Sequence, residues 1–80
     1  MVVRRQRICT TLDFNGRPWK LIVTRDFVLS LLVRRSISDN EFFDFIAREQ
    51  GIIALLAKRK IIRMGLQGDS VLIDHYDLPA

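Results

Sequence analysis

The side chains that could act as a nucleophile and a base are few. The chain of 80 residues has one cysteine, Cys9, and one histidine, His75. A catalytic cysteine needs a base within hydrogen-bond reach and surroundings that lower its pKa, and the sequence indicates neither. Asp74 and His75 are neighbours in a predicted strand, so their side chains point to opposite faces and cannot form a relay. We therefore expect no catalytic residue and a protein that is not an enzyme.

Potential metal ligands are equally sparse. Asp69, Asp74 and Asp77 are close in sequence, but their spacing lacks the loop pattern of a calcium site. A single histidine with scattered carboxylates is poor material for a transition-metal site. We expect these aspartates to be solvated at turns and strand ends, and we expect no metal and no cofactor.

Glu49 occupies an unusual position, between Phe45 and Ile53 on the apolar side of a predicted helix. A buried carboxylate with a raised pKa could serve as an acid or base. The alternative is that Glu49 pairs with an arginine or reaches solvent near a kink at Gly51. We favour the alternative, because buried carboxylates are usually paired.

Basic residues are the most prominent feature of the composition. Thirteen lysines and arginines against nine acidic residues give a net charge of +4, and ten of the thirteen are arginine, which suits bidentate contacts to phosphate. Three sets are candidate contacts for an anion or a nucleic acid. They are Arg4, Arg5 and Arg7; Arg34 and Arg35; and Lys58, Arg59, Lys60 and Arg63.

Contact with a nucleic-acid backbone requires these charges to share one surface, and binding would then depend strongly on salt. Two of the three sets end predicted helices, where cations stabilise the helix dipole whether or not anything binds. Helix termination alone therefore explains much of the pattern.

The clearest structural signal is the dipeptide Asn15–Gly16, which is preferred in two-residue type I′ hairpin turns. Such a turn pairs Phe14 with Arg17 as the hydrogen-bonded closing pair, so the amide position of Pro18 points away from the first strand. The start of the second strand is then a sheet edge, because proline cannot donate to a neighbouring strand. We expect a third strand to lie beside the first.

This register also decides the role of the aromatic residues. Phe14 and Trp19 could form a stacking platform for single-stranded nucleic acid, but they fall on the face where the apolar residues collect. We therefore assign both to the core. The residues of that face are Ile8, Thr10, Leu12, Phe14, Trp19, Leu21 and Val23.

Two helices and a final strand follow the hairpin. Thr24 is placed to cap a helix over residues 25–35, and Ser38 with Glu41 forms a capping box that begins a long helix ending at Gly65. The segment from Ser70 to Tyr76 has the composition of a short strand. The order β-β-α-α-β predicts a two-layer α+β domain, with a small, mainly antiparallel three-stranded sheet packed on two helices.

Three stretches of this layout resemble a known family. They are "NGRPWKLIVTRDFV" as turn, strand and capped helix, "FIAREQGIIALLAKRKI" as the long helix with Ile53 and Ala57 at apolar and small positions, and "GDSVLIDHYDL" as the closing strand. The family comprises small bacterial proteins catalogued as the domain of unknown function numbered fourteen-eighty-eight. The resemblance implies an α+β fold with no assigned reaction. This chain lacks a tryptophan often found near the N-terminus of members and is more basic than they are.

Length and hydropathy bound the remaining possibilities. Residues 1–80 are expected to form a single domain of marginal stability, which dimerisation would increase. The longest apolar block, "FVLSLLV", is too short for a membrane span, and no run after the N-terminal arginines could form the core of a signal peptide. We expect a soluble, cytoplasmic protein that does not contact membranes.

Together these features predict a small, non-enzymatic binding and interaction module, regulatory or homodimeric in character. Its expected partner is another protein or a second copy of the chain. The reason is that the chain has more apolar residues, such as Ile22, Leu55 and Ile62, than the core of a monomer is expected to bury. The alternative is a nucleic-acid-binding accessory protein that uses the clustered arginines.

Overall fold

The computed structural model describes residues 2–3 and 6–77, with side chains from Gln6 onward. The elements, in chain order, are β1 (Val2–Val3), β2 (Arg7–Phe14), β3 (Arg17–Thr24), α1 (Arg25–Leu32), α2 (Asp39–Arg48), α3 (Gln50–Met64), β4 (Ser70–Ile73) and a 3-10 turn (His75–Asp77). The predicted α+β class is confirmed. The sheet has four strands in the order β1-β2-β3-β4, because the short β1 adds to the three that were expected.

The hairpin of β2 and β3 has the predicted register. Phe14 pairs with Arg17, and the pairing continues without a slip to Arg7 and Thr24. Asn15 and Gly16 have φ angles of 55° and 72°, as a type I′ turn requires.

The position of β4 differs from expectation. It runs parallel to β3 and pairs with Lys20–Val23, so the third predicted strand lies beside the second and not beside the first. Pro18 is no obstacle, because the pairing begins beyond it, where the Lys20 N–H donates to the Asp69 carbonyl at 2.7 Å. The helices between β3 and β4 supply the long crossover that a parallel pair needs. β4 also ends at Ile73, and the chain turns where the strand was expected to continue to Tyr76.

One face of the sheet forms the core with the helices. Burial alternates along β3 and β4, and Trp19 is 4% exposed, as the core assignment predicted. Phe14 is half-buried at the edge of the same cluster. The helices close this face with Phe27, Val28, Phe42, Phe45, Ile46, Ile53, Ala57 and Ile61.

The predicted long helix is two helices. The Ser38–Glu41 capping box begins α2 as expected, but the chain departs from helical geometry at Glu49, with φ −105° and ψ 25°. The Glu49 N–H still donates to the Phe45 carbonyl, and its carbonyl accepts from the Ile53 N–H. The break is therefore a local kink that lies two residues before the glycine expected to mark it.

Helix α1 begins at the predicted cap, where Thr24 Oγ1 accepts from the Phe27 N–H at 3.2 Å. It ends three residues earlier than expected, because Val33 is left-handed with φ 54° and ψ 49°. The Arg34 N–H donates to the Leu29 carbonyl at 3.0 Å, which is the bonding of a Schellman motif. A β-branched residue at this position is strained, and no glycine stands there to signal the end of the helix.

Replacing Val33 with glycine should stabilise the protein, since Val33 is 90% exposed and little packing is lost. We expect Val33→Gly to raise the free energy of unfolding by about 1 kcal/mol, because glycine adopts left-handed backbone without the clash of a Cβ. Urea denaturation measures the change. Val33→Ala is the matched control, since it keeps the Cβ; equal stability of the two variants would contradict the assignment of strain.

Candidate functional site

An exposed apolar stripe follows the outer side of α3. Ile52, Leu55 and Ile62 are 57%, 49% and 70% exposed. With Arg59 they are separated by three, four and three residues, which is the spacing of the seam of a coiled coil. We call Ile52, Leu55, Arg59 and Ile62 the α3 stripe. An exposed series of large apolar side chains is typical of an interaction surface.

The stripe adjoins a narrow apolar groove of about 240 Å³ between the three helices. Ile52 belongs to both the groove and the stripe. Glu49 is the single charged residue of the groove, where it is half-buried, and no ion pair to it exists within the described residues. The other lining residues are Phe27, Leu31, Phe45, Ile53 and Leu56.

The predicted anion-binding residues fall into distinct environments. Arg4 and Arg5 lie outside the described residues, and Arg7 is exposed at the start of β2. Arg34 donates to Glu41 at 2.7 Å, whereas Arg35 is exposed and has no ion pair within residues 6–77.

The set on α3 is partly neutralised. Lys60 Nζ donates to Asp77 at 2.9 Å and to the Leu72 carbonyl at 2.6 Å. Arg63 Nη2 lies 3.7 Å from the same carboxylate. Lys58 and Arg59 form no ion pair with any described residue.

The C-terminal 3-10 turn is adjacent to two of the basic sets. His75 lines an open depression of about 660 Å³ together with Arg34 and Arg35, while Asp77, two residues along, binds Lys60 and Arg63. The ends of α1 and α3 therefore meet at this turn. The arginines at the end of α1 lie beyond its last turn, so they do not act as the predicted dipole partners within the helix.

The Asp77 carboxylate holds the turn in place. Its side chain is 8% exposed, and Oδ2 accepts from the Asp74 N–H at 2.9 Å as well as from Lys60. Burial acts to raise the pKa of Asp77, but the hydrogen bonds from Asp74 and Lys60 outweigh burial and leave the pKa below its ordinary value of 3.8.

The structure does not bring Cys9 and His75 together. Cys9 lies on β2, and β3 separates β2 from β4, so the adjacency that a dyad would need does not arise. His75 belongs to the turn beside α1 and its ring contacts Tyr76. Within the described residues there is no cluster of three or more potential metal ligands. The described helices are also all too short or too polar to cross a membrane.

No family model, no curated protein and no solved structure matches this chain. The resemblance to the family numbered fourteen-eighty-eight therefore stays a prediction. Function has to be inferred from the chain's own geometry.

Sequence reasoning missed two features of these surfaces. It noted Leu55 and Ile62 as surplus apolar residues, and their spacing together with Ile52 could have identified the stripe. The exposed ring of Tyr76, in contrast, falls inside the strand predicted over residues 70–76. The local signal for the turn is Asp74, whose carboxylate accepts from the Tyr76 N–H.

The pKa of Asp77 predicts how stability depends on pH. Because the folded pKa is depressed, the carboxylate contributes stability above its unfolded pKa, and this contribution is lost as the pH falls through the folded value. We expect Asp77→Asn to be less stable than the wild type near pH 7, and the difference to shrink below about pH 4. Urea denaturation across this range measures it.

Asp69→Asn is the matched control, since Asp69 is exposed and forms no ion pair with a described residue. Its difference from the wild type should vary little with pH. A difference for Asp77→Asn that stays constant down to about pH 3 would contradict the role assigned to the carboxylate.

Proposed function

We propose that this chain is a non-enzymatic interaction module that forms a homodimer through the α3 stripe. The observation that carries the proposal is the exposure of Ile52, Leu55 and Ile62 at coiled-coil spacing on one helix of 15 residues. Such a seam is buried when a second helix packs on it. A domain of 80 residues also gains stability by burying apolar area between two copies.

A second copy fits the stripe because the stripe is complementary to itself. When two α3 helices pack antiparallel about a twofold axis, Ile52 of each copy meets Ile62 of the other. Leu55 then lies against the aliphatic stem of Arg59, whose guanidinium reaches solvent. Closed twofold contacts of this kind are the commonest arrangement of homo-oligomers.

The charges beside the stripe favour the same arrangement. Glu49 and Arg63 lie at positions that flank the seam. The antiparallel pairing therefore places Glu49 of each copy next to Arg63 of the other, which gives two such pairs in the dimer. Opposite charges at flanking positions select the orientation of coiled-coil pairs. Arg63 can reach this contact, because its side chain is 69% exposed and its ion pair with Asp77, at 3.7 Å, is longer than a hydrogen bond.

The same axis brings Leu56 of the two copies together on the flank that contains the groove. On the other flank the two Lys58 side chains face each other. Salt screens this repulsion and the two Glu49–Arg63 attractions alike.

The first test compares two lysine substitutions at the end of α3. Ile62→Lys places a charge in the seam, whereas Met64→Lys makes a similar change on the opposite side of the helix, where Met64 is 58% exposed. Light scattering after size exclusion at high micromolar concentration should give twice the 9.3 kDa of one chain for the wild type and Met64→Lys. Ile62→Lys should be monomeric.

Two results would contradict the proposal. One is a monomeric wild type under these conditions. The other is a dimer that Leu72→Lys dissociates and Ile62→Lys does not, since Leu72 lies on the open face of the sheet, opposite the core.

The second test exchanges the flanking charges. Glu49→Arg and Arg63→Glu should each weaken dimerisation by about two- to tenfold, because each places like charges across the interface. The double variant restores opposite charges and should recover most of the affinity. Sedimentation equilibrium measures the dissociation constants, and losses that simply add in the double variant would exclude the antiparallel pairing.

A further inference from the structure

The C-terminal turn presents an aromatic pair to solvent. Tyr76 is 83% exposed, and its ring lies 4.0 Å from that of His75, centroid to centroid, at an angle of 37°. Tyrosine in a folded domain usually buries most of its ring, so this degree of exposure needs an explanation.

The turn that displays the pair is well anchored. The Tyr76 N–H donates to Asp74 Oδ1 at 3.0 Å, and the Asp77 N–H donates to the Asp74 carbonyl at 3.0 Å. Lys60 ties the Asp77 carboxylate to the body of α3. The exposed rings therefore stand on a turn held by its own hydrogen bonds, and little ordering entropy would be lost when a flat ligand stacks on them.

Cationic side chains lie near His75. Arg34 and Arg35 line the same open depression as His75, together with the hydroxyl-bearing Ser30 of α1. Asp26 is the acidic residue of this lining, and it lies in the first turn of α1, at the opposite end of the helix from the arginines. The ion pair between Arg34 and Glu41 is half-exposed on both sides, and pairs of that kind exchange partners at little cost.

We propose that His75, Tyr76, Arg34 and Arg35 form a binding site for single-stranded nucleic acid. Bases stack on the two rings, and the arginines contact the phosphates that link those bases. This combination of aromatic platform and basic groove is how proteins bind single strands without reading their sequence. A duplex fits less well, because its bases are already stacked on one another and offer no free face.

The site is separate from the α3 stripe, and binding does not require the dimer. Fluorescence anisotropy with a labelled short oligothymidine should show affinity for the wild type that falls steeply between about 50 and 200 mM salt. The monomeric Ile62→Lys variant should retain binding at this site, so failure of the dimer proposal and failure of this one are distinguishable.

The role of the ring is tested by two substitutions of Tyr76. Tyr76→Leu removes the stacking surface and should weaken binding by about fivefold to a hundredfold. Tyr76→Phe keeps the ring and should bind within about twofold of the wild type, because stacking is independent of the hydroxyl. Circular dichroism verifies that both variants fold, as expected for a side chain so exposed.

The role of the arginines is tested by Arg35→Gln, with Lys20→Gln as the control that removes the same charge from the open face of the sheet. Lys20 pairs with Ser70 at the start of β4, whereas the turn follows the end of β4. Arg35→Gln should lower the slope of log affinity against log salt by about one, and Lys20→Gln should leave it unchanged.

Several results would overturn this proposal. They are the absence of salt-dependent binding by the wild type, equal affinity for a duplex of the same length, equal effects of Tyr76→Leu and Tyr76→Phe, and equal effects of Arg35→Gln and Lys20→Gln. If either pair of substitutions had equal effects, any observed binding would be non-specific attraction by the net charge.

Discussion

The alternation of side chains along the hairpin is the constraint from which the other packing follows. Alternation places the apolar side chains on one face of the sheet. A helical layer must cover that face, while the opposite face stays open to solvent. Helices α1, α2 and α3 all contribute to the cover, and the kink at Glu49 lets α2 and α3 each direct an apolar side toward the sheet. The outer sides of these helices do not pack against the sheet. The α3 stripe lies on one of these outer sides, and the proposed nucleic-acid site lies at the turn beside α1.

Features that depend on near neighbours in sequence were predictable. The type I′ turn, the hairpin register, the core face and the capping box each follow from a few adjacent residues. Features that depend on distant parts of the chain were not. The sequence did not predict the pairing of β4 with β3, the exact position of the kink at Glu49 or the left-handed Val33. Gly51 indicated a kink two residues from the observed one, but no local residue type marks the other two features. The turn after β4 depends on both kinds of feature, because Asp74 and Asp77 hold it locally and Lys60 holds it from α3.

The two proposed surfaces would act together in one particle. A twofold pairing through α3 would give each dimer two turn sites, and a single strand long enough to reach both would bind with a higher apparent affinity than either site provides alone. The basic residues then have different tasks. Lys60 holds the turn. Under the two proposals, Arg63 would select the dimer orientation, and Arg34 and Arg35 would contact phosphate.

The parallel pairing of β3 with β4 also has a consequence for how the chain folds. About 45 residues separate the two strands, so this contact forms only after a long loop has closed. Val71 and Ile73 are 2% and 0% exposed, and the core lacks both side chains until β4 docks. During synthesis the hairpin and α1 can form early, but the sheet edge along Lys20–Val23 stays unpaired until residues 70–73 have left the ribosome. The interval in which that edge is open is when the nascent chain is most prone to aggregate.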